Sequence, residues 1–405
     1  MDRHYLFYSI NRQSPSFKTH QQFTLMEYYN LLFLAAAFLM LFISVSIIDK
    51  IIPLEINDVK HPEIDGLRGY LAFLVFLHHS YIWHNYLHSS EWRNPESNLF
   101  SHFGQSSVAL FFVITAFLFV SKLMEANAAA FNWKRYIISR FYRLAPMYLF
   151  SVVFIFILAA AASDFEIKDS ILNITKSSLS WLFFTIHGSV DINNLKDTQI
   201  INSGVAWTLP YEWMFYFLLP VIALFFKIKV KAKVLIPFIV IFIIILAISR
   251  SSMRNFSPFI AGIIVAIIIK KAKDITFLRQ PKYALLVIIL LSVSVYFFNS
   301  GKKIIPVIIT GIVFLIIAAG NSMFGILSTR FSRKFGQITY SIYLLHGILL
   351  FTTFRFIIGY EKAALLTPFE YLGVIVLCAF PLIFISQLTY KYIELPFINF
   401  AKRKR

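Results

Sequence analysis

The stretch EIDGLRGYLAFLVFLHHS, residues 63–80, carries a charged pair, Asp65 and Arg68, into an apolar run that ends in His78 and His79. Each of these side chains has a chemistry. A guanidinium grips phosphate or carboxylate through two parallel N–H donors. An imidazole takes and returns a proton near neutral pH. In a helix the step from Arg68 to His79 turns through about 1100°, only about 20° past three full turns, so both side chains share one face about 16 Å apart along the axis. His78 points about 80° away from that face. Asp65 stands three positions before Arg68 and can lie beside it. Taken singly, an arginine at a helix end is an ordinary interfacial anchor. A histidine deep in an apolar segment is rarer and normally faces a partner or a wet cavity. For His78 the plain expectation is a hydrogen bond to a neighbouring helix.

Other ionisable groups invite the same question. Arg140 and Arg143, spaced R-x-x-R, share one side of a helix; ordinary positive charge at a membrane edge accounts for them equally well. Glu212 falls at a depth close to that of His79, where a carboxylate sets the tautomer and basicity of an imidazole. A structural pair with some other polar residue is the equal alternative. His346 lies nearer the midplane and reads as a helix-to-helix hydrogen bond or as part of a cavity. Tyr211, Tyr216, Tyr340 and Tyr343 read mostly as packing. Glu394, before Leu395-Pro396, reads as the helix stop after the last span. Asn173-Ile174-Thr175 fits a glycosylation pattern that is common by chance.

The elements that must hold these groups are membrane helices. Of the 405 residues, 58% are hydrophobic and only 14% charged. The charges cluster between apolar runs of the length that crosses a bilayer. The expected fold is all-α and polytopic, with about eleven transmembrane helices at 28–48, 66–86, 107–123, 144–162, 207–226, 234–249, 258–269, 283–298, 304–319, 338–357 and 371–390. The run 258–269 is short for a crossing, so it is tilted, paired with a partner, or incomplete. The segment SWLFFTIH, residues 180–187, is too short to cross and reads as an interfacial or re-entrant piece of the long loop 163–206.

Charge sets the expected orientation. One set of alternate loops, with Lys122, Arg140, Arg143, the lysines from Lys227 to Lys233, and the tail Lys402, Arg403, Lys404 and Arg405, carries more than twice the lysine and arginine of the other set. The richer set belongs in the cytoplasm, with the C-terminus. The N-terminus then lies outside, although Arg3, Arg12 and Lys18 argue for a first segment that lies on the surface instead. The net charge of +18 is therefore mostly topology. Spread over many short loops, it does not make a nucleic-acid site, but it suits anionic lipid or a phosphate-bearing ligand. The single Cys378 excludes an internal disulfide. No metal site, cleaved secretory leader, internal repeat or appended soluble domain is expected.

The ordered motifs resemble membrane acyltransferase family 3, the multispan O-acyltransferases of surface polysaccharides and lipids. DGLRGYLAFLVFLHHS is similar to that family's opening motif, an arginine and a histidine separated by ten residues. FFVITAFLFV at 111–120 resembles its third-span motif, with Thr115-Ala116-Phe117 where Ser-Gly-Phe is usual. SRFYRLAPMY at 139–148 resembles its basic loop, and WTLPYEWMFYFLLP at 207–220 its glutamate-bearing block. FGQITYSIYLLH at 335–346 resembles its late histidine block, with Thr339 at the serine place, and YIELPF at 392–397 its C-terminal end. The resemblance implies an acyltransferase domain over 63–397, preceded by a segment 1–62 with one extra helix and followed by a basic tail 398–405. It implies acetyl-CoA as donor, with Arg68, Arg140 and Arg143 as the cofactor-binding arginines, and His79 as general base with Glu212 beside it. A transient acyl-histidine stays open. The implied acceptor is a hydroxyl of a glycan or lipid-linked sugar, and the implied place is the bacterial inner membrane. The competing classes are a polysaccharide or lipid transporter, to which buried charges are also suited, and an acyl-CoA-binding regulator without turnover.

Overall fold

The computed structural model describes residues 16–56, 60–125, 131–249 and 252–403, with 16–30 described by backbone alone. Arg3, Arg12, Arg250, Lys404, Arg405 and the side chain of Lys18, which enter the charge count, lie outside the described residues. Fifteen α-helices follow in chain order among the described residues: α1 Ser16–Ile51, α2 Pro62–Ser89, α3 Asn98–Glu125, α4 Trp133–Ala162, α5 Ile171–Leu182, α6 Thr208–Phe225, α7 Ala232–Ile248, α8 Ser257–Lys271, α9 Pro281–Phe297, α10 Ile304–Ala318, α11 Arg330–Gln337, α12 Thr339–Thr352, α13 Tyr360–Ala364, α14 Pro368–Thr389 and α15 Leu395–Arg403. No strand is present among them beyond one isolated bridge, Ile192 to Leu195. In lipid a backbone must satisfy its own polar groups, and helices do so within one segment.

Each predicted span falls on a helix. Among the described residues, seven stretches are long and apolar enough to cross a bilayer; α7, α9 and α10 are apolar but shorter. α2 is 28 residues long, and Arg68 and the histidines lower its apolar character. This is a multi-pass membrane protein. Outward faces of α1, α4, α7 and α10 expose leucine, isoleucine and phenylalanine, as lipid contact requires. The short helix α8 packs along α3, where Gly262 has no side chain to hold the Val113 carbonyl away. α1 is no separate appendage. Its Leu41 and Ile48 are fully buried, Lys334 of α11 pairs with Asp49, and Gln387 of α14 donates to the Ile52 carbonyl at 2.6 Å. In the loop 163–206, Trp181 at the end of α5 is fully buried and donates to the Val190 carbonyl, while Leu179, Leu182 and Phe183 stay exposed.

Local signals set the ends of the site-bearing helices. Pro62 opens α2, a position where its missing N–H costs nothing. The Asn132 side chain caps α4, accepting from the Arg135 amide. Thr367 and Glu370 form a reciprocal capping box on α14. Glu394 corrects an expectation. The helix does not stop there but runs on from Pro368 to Arg403, because a π-helical turn over Tyr390–Glu394 restarts the chain as α15. Pro396 then lies in a first turn, where proline is tolerated.

Candidate active site

Four of the predicted site residues converge. Arg68 from α2, Arg140 and Arg143 from α4, and Glu212 from α6 all line one polar cavity of about 540 Å³, together with Lys122, Tyr216, Tyr340 and Tyr390. A second, tighter cavity of about 60 Å³ shares Arg68, Phe111, Glu212 and Tyr340 with the first and continues it to Thr208, Thr339 and Tyr343. The R-x-x-R spacing of α4 does put both arginines on one face. α2 lies tight against α11 and the start of α12 because glycines meet backbone there. A Cβ on Gly336 would collide with the Asp65 carbonyl, and one on Gly66 with the Leu327 carbonyl.

The arginines are not equivalent. Arg68 reaches Asp65 at 3.8 Å, as the i,i+3 spacing predicts, and is 26% exposed. Arg143 is committed: its Nη1 donates to Oε2 of Glu394 at 2.9 Å, and Glu394 is fully buried. The other oxygen of Glu394 accepts from the Ser341 hydroxyl at 2.5 Å. A buried carboxylate held on both oxygens answers a buried guanidinium, the pairing that membrane interiors demand. Glu394 is thus a site residue that sequence reasoning misplaced. Its signal was an ionisable group inside an apolar run, for which a partner should have been sought. Arg140 differs again. Its Nη2 donates to Ser139 Oγ at 3.0 Å and its charge sits 4.8 Å over the Phe119 ring. Its buried Nε has no hydrogen-bond partner, and among the described residues no carboxylate pairs with it. It is a cation at a cavity wall with a donor to spare.

The histidines lie apart from this cavity. His78 bonds the Phe100 carbonyl of α3 at 2.7 Å, with its ring against Gly104. That is the structural bond expected of it. His79 lies 3.0 Å from Nε2 of His346 on α12 and 3.0 Å from the carbonyl of Val75, both through Nδ1. The Nδ1 of His346 in turn meets the Ile342 carbonyl at 3.0 Å. Carbonyls only accept, so each Nδ1 carries a hydrogen; Nε2 of His346 is then the acceptor, and Nε2 of His79 is left with a lone pair. His346 and His78 are closed in, at 0% and 6% exposure, while His79 is only part-buried.

Glu212 makes no hydrogen bond to His79. Its Oε2 accepts from the Tyr216 hydroxyl at 3.1 Å, and it faces the arginine cavity. The depth estimate was not enough, because depth along a span says nothing about which side of the helix looks inward. His346 supplies the orienting contact instead. Tyr343 links the two regions: it lines the second cavity, and its ring lies 6.2 Å from that of His346. Its hydroxyl donates to the Val205 carbonyl at 3.1 Å, at the entry of α6. Tyr340 and Tyr343 are therefore cavity wall as well as packing.

A family model described as an acyltransferase domain matches residues 61–390. No curated protein and no solved structure matches the chain.

Proposed function

The chain belongs to the membrane acyltransferase 3 family, whose domain covers residues 61–390, and from that premise we propose that it is an O-acetyltransferase that takes acetyl from cytoplasmic acetyl-CoA and delivers it to a sugar hydroxyl of a surface polysaccharide or lipid-linked glycan. The observation that carries this reading is the convergence of Arg68, Arg140 and Arg143 on one cavity, with an unpartnered Nε on Arg140. A cavity walled by guanidinium groups suits a phosphate-bearing donor. Lysine and arginine bias supports a cytoplasmic position for that end of the bundle, where coenzyme A is.

The chemistry follows from the parts. Arg68 and Arg140 hold the donor's phosphates, and Arg143, held by Glu394, adds fixed positive charge. The donor's arm runs past Phe111, Glu212 and Tyr340 into the second cavity and towards Tyr343. The acceptor enters from the opposite end. His79 accepts the hydroxyl proton on Nε2 as the oxygen attacks the thioester carbonyl carbon. The C–O bond forms, the C–S bond breaks, and the proton passes to the departing sulfur. His346 fixes the tautomer of His79, as a triad's third member fixes its base.

Acetyl transfer measured against acetyl-CoA concentration tests this in three variants at matched expression. His79→Ala should lose about 10²–10⁴-fold in rate with the donor KM unchanged. Arg68→Ala should raise the donor KM and recover at high donor. His78→Ala should keep most of the turnover, because its bond is structural. An active His79→Ala with a dead His78→Ala would refute the assignment of the base.

A further inference from the structure

The arginine cavity, the tighter cavity beside it and a third cleft follow one another through shared wall residues. The third, small cleft shares Val108 and Phe112 with the second cavity and is walled by Gln105, Trp207, Arg254, Asn255 and Lys302. It lies at the end of the bundle that bears the long loop, near the start of α3 and the turn between α9 and α10. Its charge is one-sided. Lys302 rests with Nζ 4.7 Å from the centroid of the Trp207 ring. Among the described residues neither Lys302 nor Arg254 has a carboxylate partner, and no acidic side chain lines the cleft. A cation over an indole face is held in place but weakly satisfied, and an anion offers it a stronger partner. The cleft holds about 20 Å³, which is room for a single substituent rather than a ring.

We propose that this cleft is the acceptor subsite and that it selects a saccharide bearing an anionic substituent, a carboxylate or a phosphate. The proposal rests on the acyltransferase reading above. The anionic group meets Lys302 and Arg254; Asn255, whose Nδ2 donates to the Tyr211 hydroxyl, keeps its Oδ1, and Gln105, whose Oε1 accepts from Ser300, keeps its Nε2 for neighbouring hydroxyls, while the ring stays at the rim beside Trp207. The hydroxyl to be acylated then points down the passage between Val108 and Phe112. Two unpaired cations at the entrance of a narrow passage attract anions and repel cations before any contact is made.

The test uses the full chain in zwitterionic phosphatidylcholine nanodiscs, as wild type and as Arg254→Gln/Lys302→Gln. Equilibrium dialysis measures binding of a labelled glucuronate oligosaccharide and of its neutral glucose counterpart of equal length. Wild type should bind the acidic probe roughly fivefold or more tightly than the neutral one, with the preference shrinking as salt is added. The double variant should bind both alike. Transfer from acetyl-CoA to the same two acceptors should show the same preference in the acceptor KM, with the acetyl-CoA KM equal in both proteins. Wild type without a charge preference in binding, or a double variant that keeps one, overturns this proposal. Charge-selective binding with no acetyl transferred to either acceptor leaves an anion-selective saccharide site standing and overturns the acetyltransferase reading instead.

Discussion

At the scale of single residues, the two arginines of the R-x-x-R loop have different tasks, and one experiment separates them. Arg140 has a spare donor at the cavity, whereas Arg143 is spent on Glu394. Arg140→Gln should raise the acetyl-CoA KM and leave thermal unfolding in detergent unchanged. Arg143→Gln should lower the unfolding temperature, because it strands a fully buried carboxylate; breaking such a pair costs about 3–5 kcal/mol. Adding Glu394→Gln to Arg143→Gln should recover part of the loss. If both single variants affected only KM, the division would be wrong. The arginines were legible in the sequence because charge in an apolar chain has few reasons to be there. The partner of Arg143 was not, since it stands 251 positions away and nothing local points to it. His79 shows the same limit. Its alignment with Arg68 could be read from helical pitch, but the choice of His346 over Glu212 as its neighbour is a matter of how helices pack.

At the scale of elements, the site depends on how closely α2 and α11 approach. Gly336 sits where any side chain would strike the Asp65 carbonyl, one turn before Arg68. Gly336→Ala should therefore push the two helices apart, at a cost of about 1–3 kcal/mol. The same movement should raise the donor KM, because Arg68 rides on α2. Chemical denaturation paired with donor titration checks both effects; a stable variant with an unchanged donor KM would show that the approach is not needed. Helix existence and type were plain from apolar run length, and each predicted span falls on a helix. The π-helical turn at Tyr390–Glu394 was hidden. A proline two residues past a glutamate looks like a terminus in any local reading, whereas that glutamate is buried between Arg143 of α4 and Ser341 of α12.

At the scale of the whole molecule, the lysine and arginine bias predicts an orientation that labelling can test. In a background lacking Cys378, single cysteines at Asp191 and at Lys229 should react with an impermeant thiol reagent from opposite sides, Lys229 only after permeabilisation. Labelling of both from one side would refute this topology. The sequence could not say that α1 belongs to the same body as the catalytic core, since apolar helices carry no label for their neighbours. The coordinates give α1 a seat against α14 and α11, held by Asp49, Lys334 and Gln387.

The pairing of Arg143 with Glu394 also has a consequence for biosynthesis. A ribosome makes Arg143 first, and at about 5–20 residues per second the 251 positions to Glu394 take roughly 10–50 s. Throughout that interval the translocon must deliver α4 with a cation that has no counter-ion. The arginine cavity also lacks Tyr390 until the same moment. The cavity that gathers Arg68, Arg140 and Arg143 is therefore walled in full only after the π-helical turn near the end of the chain has been made, so a nascent chain stalled before that point has the arginines without the residues that close them in.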